Sequence, residues 1–192
     1  MKYYGPRLRI IRRFFSFRSR KLETFTGKIS KNNSRPGQHG TKPMKKSSQY
    51  SVRLREKQKV RTFYSISEKQ IVQYMKKARK IKESTSRAFF KLLEIRLDVI
   101  VYRTEWAPTI LKARQIVNHG HISVNGVQVT ASNRICSNNS TLRIKSLIYQ
   151  RIQLYNILPV KNIVHACTTP FLIRANSYFN LLFVVEYYSN RL

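Results

Sequence analysis

The stretch that decides the fold of this chain is residues 113–129, which read ARQIVNHGHISVNGVQV. Its first part continues a run of apolar residues at helical spacing, formed by Ile110, Ala113, Ile116 and Val117. From Ile122 onward, apolar and polar residues alternate, as they do in a strand with one buried face. Gly120 stands where the period changes, and a glycine commonly ends a helix. The stretch therefore predicts a helix followed at once by strands.

The strands that follow are predicted to form a small antiparallel sheet. Asn125-Gly126 is a strong signal for a tight hairpin turn, because both residues tolerate positive φ. Val127 and Val129 then supply the returning strand. A further strand is predicted where apolar and basic residues alternate again, at Leu142, Arg143, Ile144 and Lys145.

The sequence before this region predicts helices. Residues 50–64 form a polar helix anchored by Leu54 and Val60, and Ser67 with Gln70 forms a capping box for the next one. That second helix has an apolar face of Ile71, Tyr74, Met75, Ala78 and Ile81 and a polar face of Lys69, Gln73, Lys76 and Lys80. One core helix then begins near residues 84–86, with an apolar side of Phe89, Leu93, Leu97 and Ile100. Residues 181–187 predict a strand.

The charge of the chain is far from balanced. Its 192 residues contain 38 Lys and Arg against 8 acids, a formal net charge of +30, and residues 1–60 alone carry 18 cations against 2 glutamates. Such a chain repels itself unless a polyanion neutralises it, and nucleic acid is the favoured one. A lysine stripe on one helix can simply be solvated, but the polar face described above has no acids at i,i+4 spacing, which favours a surface that faces phosphates.

Several classes of function are disfavoured. Asp98 is the only aspartate, and neither a Gly-x-Gly pair nor a phosphate-binding loop is present. His119 and His121 could ligate a metal but have no third ligand near them, so no metal and no cofactor are expected; direct RNA contact or packing are the alternatives. Cys136 and Cys167 are expected to stay reduced. No secretory signal, transit peptide or membrane span is expected.

Specific strings in this sequence resemble a known family. Residues 96–98, 102–103, 113–122 and 124–126 are similar to the RNA-binding domain named after small-subunit ribosomal protein S-four. The strings YGPRL at 4–8, PGQHG at 36–40 and LREKQKVR at 54–61 resemble the remainder of that ribosomal protein family. The ending LLFVVEYYS at 181–189 resembles its plastid members.

The resemblance implies an α+β fold with an inserted domain. Residues 1–49 would be a basic N-terminal extension. Residues 50–95 would be a helical domain that residues 146–192 complete. Residues 96–145 would be the inserted S-four-type domain, with helices and a β-hairpin or small antiparallel sheet.

The resemblance also implies partners and contact residues. The family binds small-subunit rRNA at a junction of the five-prime domain early in assembly, beside neighbouring small-subunit ribosomal proteins, and lies near the channel through which mRNA enters. No membrane and no small-molecule substrate is expected. The residues predicted to bind RNA are Arg7, Arg9, Arg12, Arg13, Arg53, Arg55, Lys57, Lys59 and Arg61, with Lys112, Arg114, Gln115 and His119 in the inserted domain. Lys42, Lys45 and Lys46 match the loop that faces mRNA. For any single arginine the alternative is a surface charge that touches no nucleotide.

The expected location is a plastid ribosome, with a mitochondrial or a bacterial cytoplasmic ribosome as alternatives. Two other functions compete with a structural ribosomal role. An RNA-modifying enzyme would need a catalytic domain with a reactive aspartate, and a stand-alone RNA chaperone would lack the strings at 4–8 and 36–40.

Overall fold

A computed structural model of the protein describes residues 7–14, 34–42, 47–137, 140–145 and 179–189. The described elements are α1 (Arg7–Phe14), α2 (Gln49–Phe63), α3 (Glu68–Arg79), α4 (Thr85–Glu94), α5 (Leu97–Arg103), α6 (Ile110–Asn118), β1 (Ile122–Val124), β2 (Val127–Val129), β3 (Leu142–Ile144) and α7 (Leu181–Ser189). They fall into two compact units. The first takes the described residues up to Phe90 together with 179–189, and the second takes those from Lys91 to 145. The α+β prediction is confirmed.

In the first unit, α2 and α3 form as their sequences predict. Ser48 caps α2 by accepting a hydrogen bond from the Ser51 amide at 3.3 Å. The capping box of α3 is complete, since Ser67 accepts from the Gln70 amide and the Gln70 side chain accepts from the Ser67 amide. The predicted faces of α3 are confirmed for the members within the helix. Lys80 and Ile81 lie beyond its end, and Ile81 is exposed, not buried.

The C-terminal segment corrects a prediction. Residues 181–187 were expected to form a strand, but α7 is a helix that packs along α2. Its buried residues are Leu181, Val184, Tyr187 and Tyr188, which recur at helical spacing, whereas Leu182 is exposed. The sequence is apolar nearly throughout, so it fits both periods. The helical period prevails because it places the apolar residues of this segment on one face that packs against α2.

The core helix predicted to start near residues 84–86 is two helices. α4 ends at Glu94, α5 begins at Leu97, and Arg96 between them is extended, with φ −71° and ψ 141°. The backbone here pairs across to residues 134–136: the Leu97 amide donates to the Arg134 carbonyl at 2.9 Å, and the Cys136 amide donates to the Ile95 carbonyl at 3.0 Å. This pairing replaces helical hydrogen bonds, so the break needs neither glycine nor proline.

The second unit contains the helix and sheet predicted from residues 113–129. Thr109 caps α6, and Gly120 ends it with φ +70° while its amide donates to the Val117 carbonyl at 2.8 Å. The strands form an antiparallel sheet in the order β2–β1–β3. Asn125 and Gly126, both at positive φ, make the two-residue turn. The core under this sheet is formed by side chains of α5, α6 and all three strands, with Trp106 and Cys136 beside them.

Candidate nucleic-acid interface

Two predicted RNA-binding cations of α2 are engaged with acids of the first unit. The Arg53 Nε donates to Glu186 of α7 at 2.8 Å, and the Lys57 Nζ donates to Glu68 of α3 at 2.9 Å. Lys57 is buried, and its ammonium lies 4.7 Å from the centre of the Tyr187 ring. Both cations therefore help to hold α7 and α3 on α2.

Glu68 is shared between two helices. It accepts from Lys57 and from the Tyr188 hydroxyl on α7. Burial acts to raise the pKa of Glu68, but the hydrogen bonds from Tyr188 and Lys57 outweigh it, so this pKa lies below its ordinary value. Burial, followed by the bond to Glu68, raises the pKa of Tyr188. Glu68 is therefore an anion that accepts hydrogen bonds from a lysine and a tyrosine.

Lys59, also predicted to bind RNA, pairs with Glu56 one turn earlier on α2. The other Glu56 oxygen accepts from the Asn180 amide at 3.3 Å, just before α7 begins. Arg55 and Arg61 differ from these cations, because among the described residues neither forms a salt bridge. Arg61 is exposed and Arg55 is partly exposed.

The basic residues of α1 have separate roles. Arg12 donates to the Ser34 carbonyl at 2.8 Å and also to the Ser34 hydroxyl and the Arg35 carbonyl, so it fixes the loop that follows. Arg9 and Arg13 are exposed, and the Arg13 guanidinium lies 5.2 Å from the Phe14 ring centre. Arg7 lies in α1, but its side chain is outside the described set.

The loop predicted to face mRNA is described only in part. Lys42 is exposed, and its carbonyl accepts from Arg35 at 2.7 Å. Lys45 and Lys46 lie outside the described residues.

In the second unit, Arg114 binds Asp98. The Arg114 Nε and Nη2 lie 3.1 and 2.7 Å from Asp98 Oδ2, and Arg96 reaches the same carboxylate with Nε at 3.0 Å from Oδ1 and Nη2 at 2.7 Å from Oδ2. The Asp98 side chain has no exposed surface, and that of Arg96 is 2% exposed. Asp98 therefore joins α5 to α6 and to the extended residue before α5, a structural role for the one aspartate.

The outer side of α6 carries the other three residues predicted in this domain. Lys112, Gln115 and His119 are all exposed and lie on one face at positions i, i+3 and i+7. The rings of His119 and His121 lie 5.9 Å apart and are nearly parallel. Burial, followed by the charges of His119 and Lys145, lowers the pKa of His121 below its ordinary value, which favours the neutral form of that imidazole.

Other exposed cations were not selected from the sequence. Arg143 and Lys145, on and just after β3, are exposed, and their alternation with Leu142 and Ile144 was a usable signal. Within the described residues, no cluster of three metal-ligating side chains occurs. None of the helices described is long and apolar enough to cross a membrane.

Comparison with known proteins assigns both units. A family model for the ribosomal protein S4/S9 N-terminal domain matches residues 2–94, and a model for the S4 domain matches residues 95–140. Small ribosomal subunit protein uS4 of Synechococcus sp. (strain JA-2-3B'a(2-13)) is 49% identical over 145 residues, covering 76% of this chain and 70% of the relative. Protein uS4c of Oltmannsiellopsis viridis is 45% identical over the same shares, and uS4c of Guillardia theta is 37% identical over 99% of this chain and 98% of the relative.

Together the two matched modules define a ribosomal protein that carries an S4 domain. The relatives make the assignment specific: the chain belongs to the family of small ribosomal subunit protein uS4. The family resemblance seen in the sequence is thus confirmed. Its members are ribosomal proteins, which confirms the prediction that the chain is not an enzyme. Cyanobacterial and plastid relatives indicate a ribosome of plastid or bacterial type.

Proposed function

We propose that this protein binds small-subunit rRNA at a multi-helix junction of the five-prime domain early in assembly, beside neighbouring small-subunit proteins. The observation that carries the proposal is that most of the acidic side chains are paired with cations of the same chain. Five of the eight acids, Glu56, Glu68, Glu94, Asp98 and Glu186, form salt bridges inside the fold. Few acids remain to balance the exposed Lys and Arg side chains, so the surface needs an external polyanion.

Each unit offers a surface of this kind. In the first unit, the exposed face of α3 carries Lys69 and Lys76, and Lys80 is exposed at the C-cap of that helix. In the second unit, Lys112, Gln115 and His119 occupy the outer side of α6. A folded RNA junction is recognised mainly through its sugar–phosphate backbone, and lysine or arginine side chains on rigid helices can contact the phosphates.

The proposed domain organisation has residues 50–95 completed by 146–192, with residues 96–145 inserted between them and 1–49 as a basic extension. Two observations support it: α7 packs on α2, and the two family models meet at residues 94 and 95. Residues 146–178 lie outside the described part of the chain.

A position near the channel through which mRNA enters is proposed from the family resemblance. Contact of mRNA with Lys42, Lys45 and Lys46 is proposed from the same resemblance and from the exposure of Lys42. A plastid ribosome is the proposed location, supported by the uS4c relatives.

The experiment is binding of the full chain to a five-prime-domain rRNA fragment across a range of salt concentrations, with an unrelated structured RNA of equal length as control. We expect tighter binding to the rRNA fragment and a log–log salt slope that grows by roughly 0.7–0.9 per neutralised phosphate. Equal affinity for both RNAs would contradict selective rRNA binding. A separate measurement is sedimentation of an organelle lysate, in which the protein should travel with small subunits through a salt wash.

A further inference from the structure

A pocket of about 560 Å³ lies in the first unit, between α1, the loop of residues 34–42 and one face of α2. The loop wall is formed by residues 35–40, and the helical wall by Ser51, Leu54, Arg55 and Gln58, which recur at i, i+3, i+4 and i+7. Arg13 and Phe14 close the side that belongs to α1. Its size falls within the range of about 300–1,000 Å³ that is usual for small-ligand sites.

The loop wall is built for one conformation. Arg12 holds it through three hydrogen bonds to Ser34 and Arg35, and Arg35 binds the Lys42 carbonyl across the loop. A side chain at Gly40 would put its Cβ 1.9 Å from the Arg35 carbonyl oxygen, so only glycine fits there. A loop held this closely can present its side chains in fixed positions.

The charge of the lining has one sign. Its charged side chains are Arg13, Arg35 and Arg55, and the described lining contains neither Asp nor Glu. In the described structure, Arg13 and Arg55 donate no hydrogen bond, in contrast to Arg53 and Lys57 on the other side of α2, which are paired with acids. Arg53 and Lys57 on one side of α2 are therefore matched by carboxylates, whereas Arg55 on the other side lines the pocket together with Arg13, and neither pairs with an acid among the described residues.

Apolar and aromatic surface accompanies these arginines. Phe14, Pro36, His39 and Leu54 line the same pocket. Guanidinium groups bind phosphate oxygens in a planar, paired geometry, and unpaired RNA bases stack on aromatic side chains. We propose that the pocket holds one unpaired nucleotide of RNA, with Arg13, Arg35 and Arg55 binding its phosphate and Phe14 or His39 contacting its base. This inference rests on the proposed rRNA binding and assigns one subsite within it.

The first test compares two double variants of the full chain, each with two fewer cations. R13Q/R55Q alters the pocket, whereas K76Q/K80Q alters the exposed face of α3. We expect R13Q/R55Q to weaken binding of the five-prime-domain fragment at least about tenfold more than K76Q/K80Q, because it removes directed charge-assisted contacts. Equal losses of affinity in the two variants would overturn the proposed nucleotide pocket but would not contradict rRNA binding. Loss of selective binding by the unmodified chain would instead overturn the proposed function.

A second pair keeps the charge constant, in case the first pocket variant unfolds. Gln58→Trp fills the pocket from α2, and Leu182→Trp places the same side chain on the exposed side of α7, which has no proposed role in RNA binding. Weaker binding for Q58W alone is expected, and equal affinities for both variants would overturn the proposal.

The third test identifies the source of the phosphate. Arginines of the full chain are labelled with phenylglyoxal, and the labelled sites are mapped by mass spectrometry with pentauridylate or inorganic phosphate as competitor. We expect pentauridylate to protect Arg13, Arg35 and Arg55 at concentrations where inorganic phosphate does not. Equal protection by both would reduce the pocket to a general anion site and overturn the assignment to a nucleotide.

Discussion

Asp98 is a buried carboxylate that accepts hydrogen bonds from two guanidinium groups, Arg96 and Arg114. Replacing it with Asn removes the anion that neutralises the buried Arg96 and the partly buried Arg114. We expect D98N to lower the free energy of unfolding by about 3 kcal/mol or more, because an uncompensated buried charge is costly. Urea denaturation monitored by circular dichroism measures this. A stability equal to that of the unmodified protein would mean that the cluster does not support the fold.

Arg114 and Lys112 lie two positions apart on α6 but are expected to respond differently. Arg114 is bound to Asp98 and its side chain is 15% exposed, whereas Lys112 is exposed. R114A should therefore destabilise the second unit, and K112A should leave stability unchanged while weakening rRNA binding. Thermal unfolding and RNA titration of both variants test these expectations. If K112A lost stability and R114A lost only RNA affinity, Lys112 would be the structural residue and Arg114 the RNA-binding one.

The sequence predicted which elements carry the cationic residues. It did not predict which of these cations pair with acids of the same chain. Arg114 meets a carboxylate 16 positions away, and Arg53 meets one 133 positions away. Such pairs depend on tertiary packing, which local spacing does not encode. The pocket arginine Arg35 was missed for the same reason, since it faces Arg13 and Arg55 only after the chain has folded.

At the scale of elements, predictions succeeded where local chemistry decides the structure. Gly120 and Asn125-Gly126 fixed the end of α6 and the hairpin, and Ser67 with Gln70 fixed the start of α3. The break between α4 and α5 could not be predicted, because residues 95–97 are paired by residues 134–136, about 40 positions later. α7 could not be distinguished from a strand, because its sequence is apolar nearly throughout and fits both periods.

The helical state of α7 makes a prediction that a strand does not. Leu182 and Val184 would share one face of a strand, but in α7 Val184 is fully buried and Leu182 is 57% exposed. We expect V184D to destabilise the first unit by about 3 kcal/mol or more and L182D to have a small effect. Chemical denaturation of the two variants measures the difference. Similar losses in both would favour a strand.

The contact between α7 and α3 should depend on pH through Glu68. The folded pKa of this residue lies below the ordinary value of 4.5, so its contribution to stability is present above that value and is lost as the pH falls through the folded pKa. E68Q should therefore be less stable than the unmodified protein at neutral pH, and the gap should narrow below about pH 4.5. Melting temperatures of both proteins between pH 7 and pH 3 test this. A constant gap would exclude Glu68 ionisation as the cause.

For the whole molecule, the excess of cations divides into those that hold the fold together and those that remain for RNA. Lys69 and Lys76 on α3 and Lys80 at its C-cap are exposed, whereas Arg53, Lys57 and Lys59 of α2 are paired with acids. Changing either trio to Gln removes the same charge. Changing Lys69, Lys76 and Lys80 should lower the log–log salt slope of rRNA binding by about 2, because each phosphate contact contributes roughly 0.7–0.9. The stability of the protein should not change. The α2 trio should reduce stability first and change the slope less. Slopes and unfolding curves measured on both variants decide the matter, and equal slope changes would show that internal pairing does not determine which cations meet RNA.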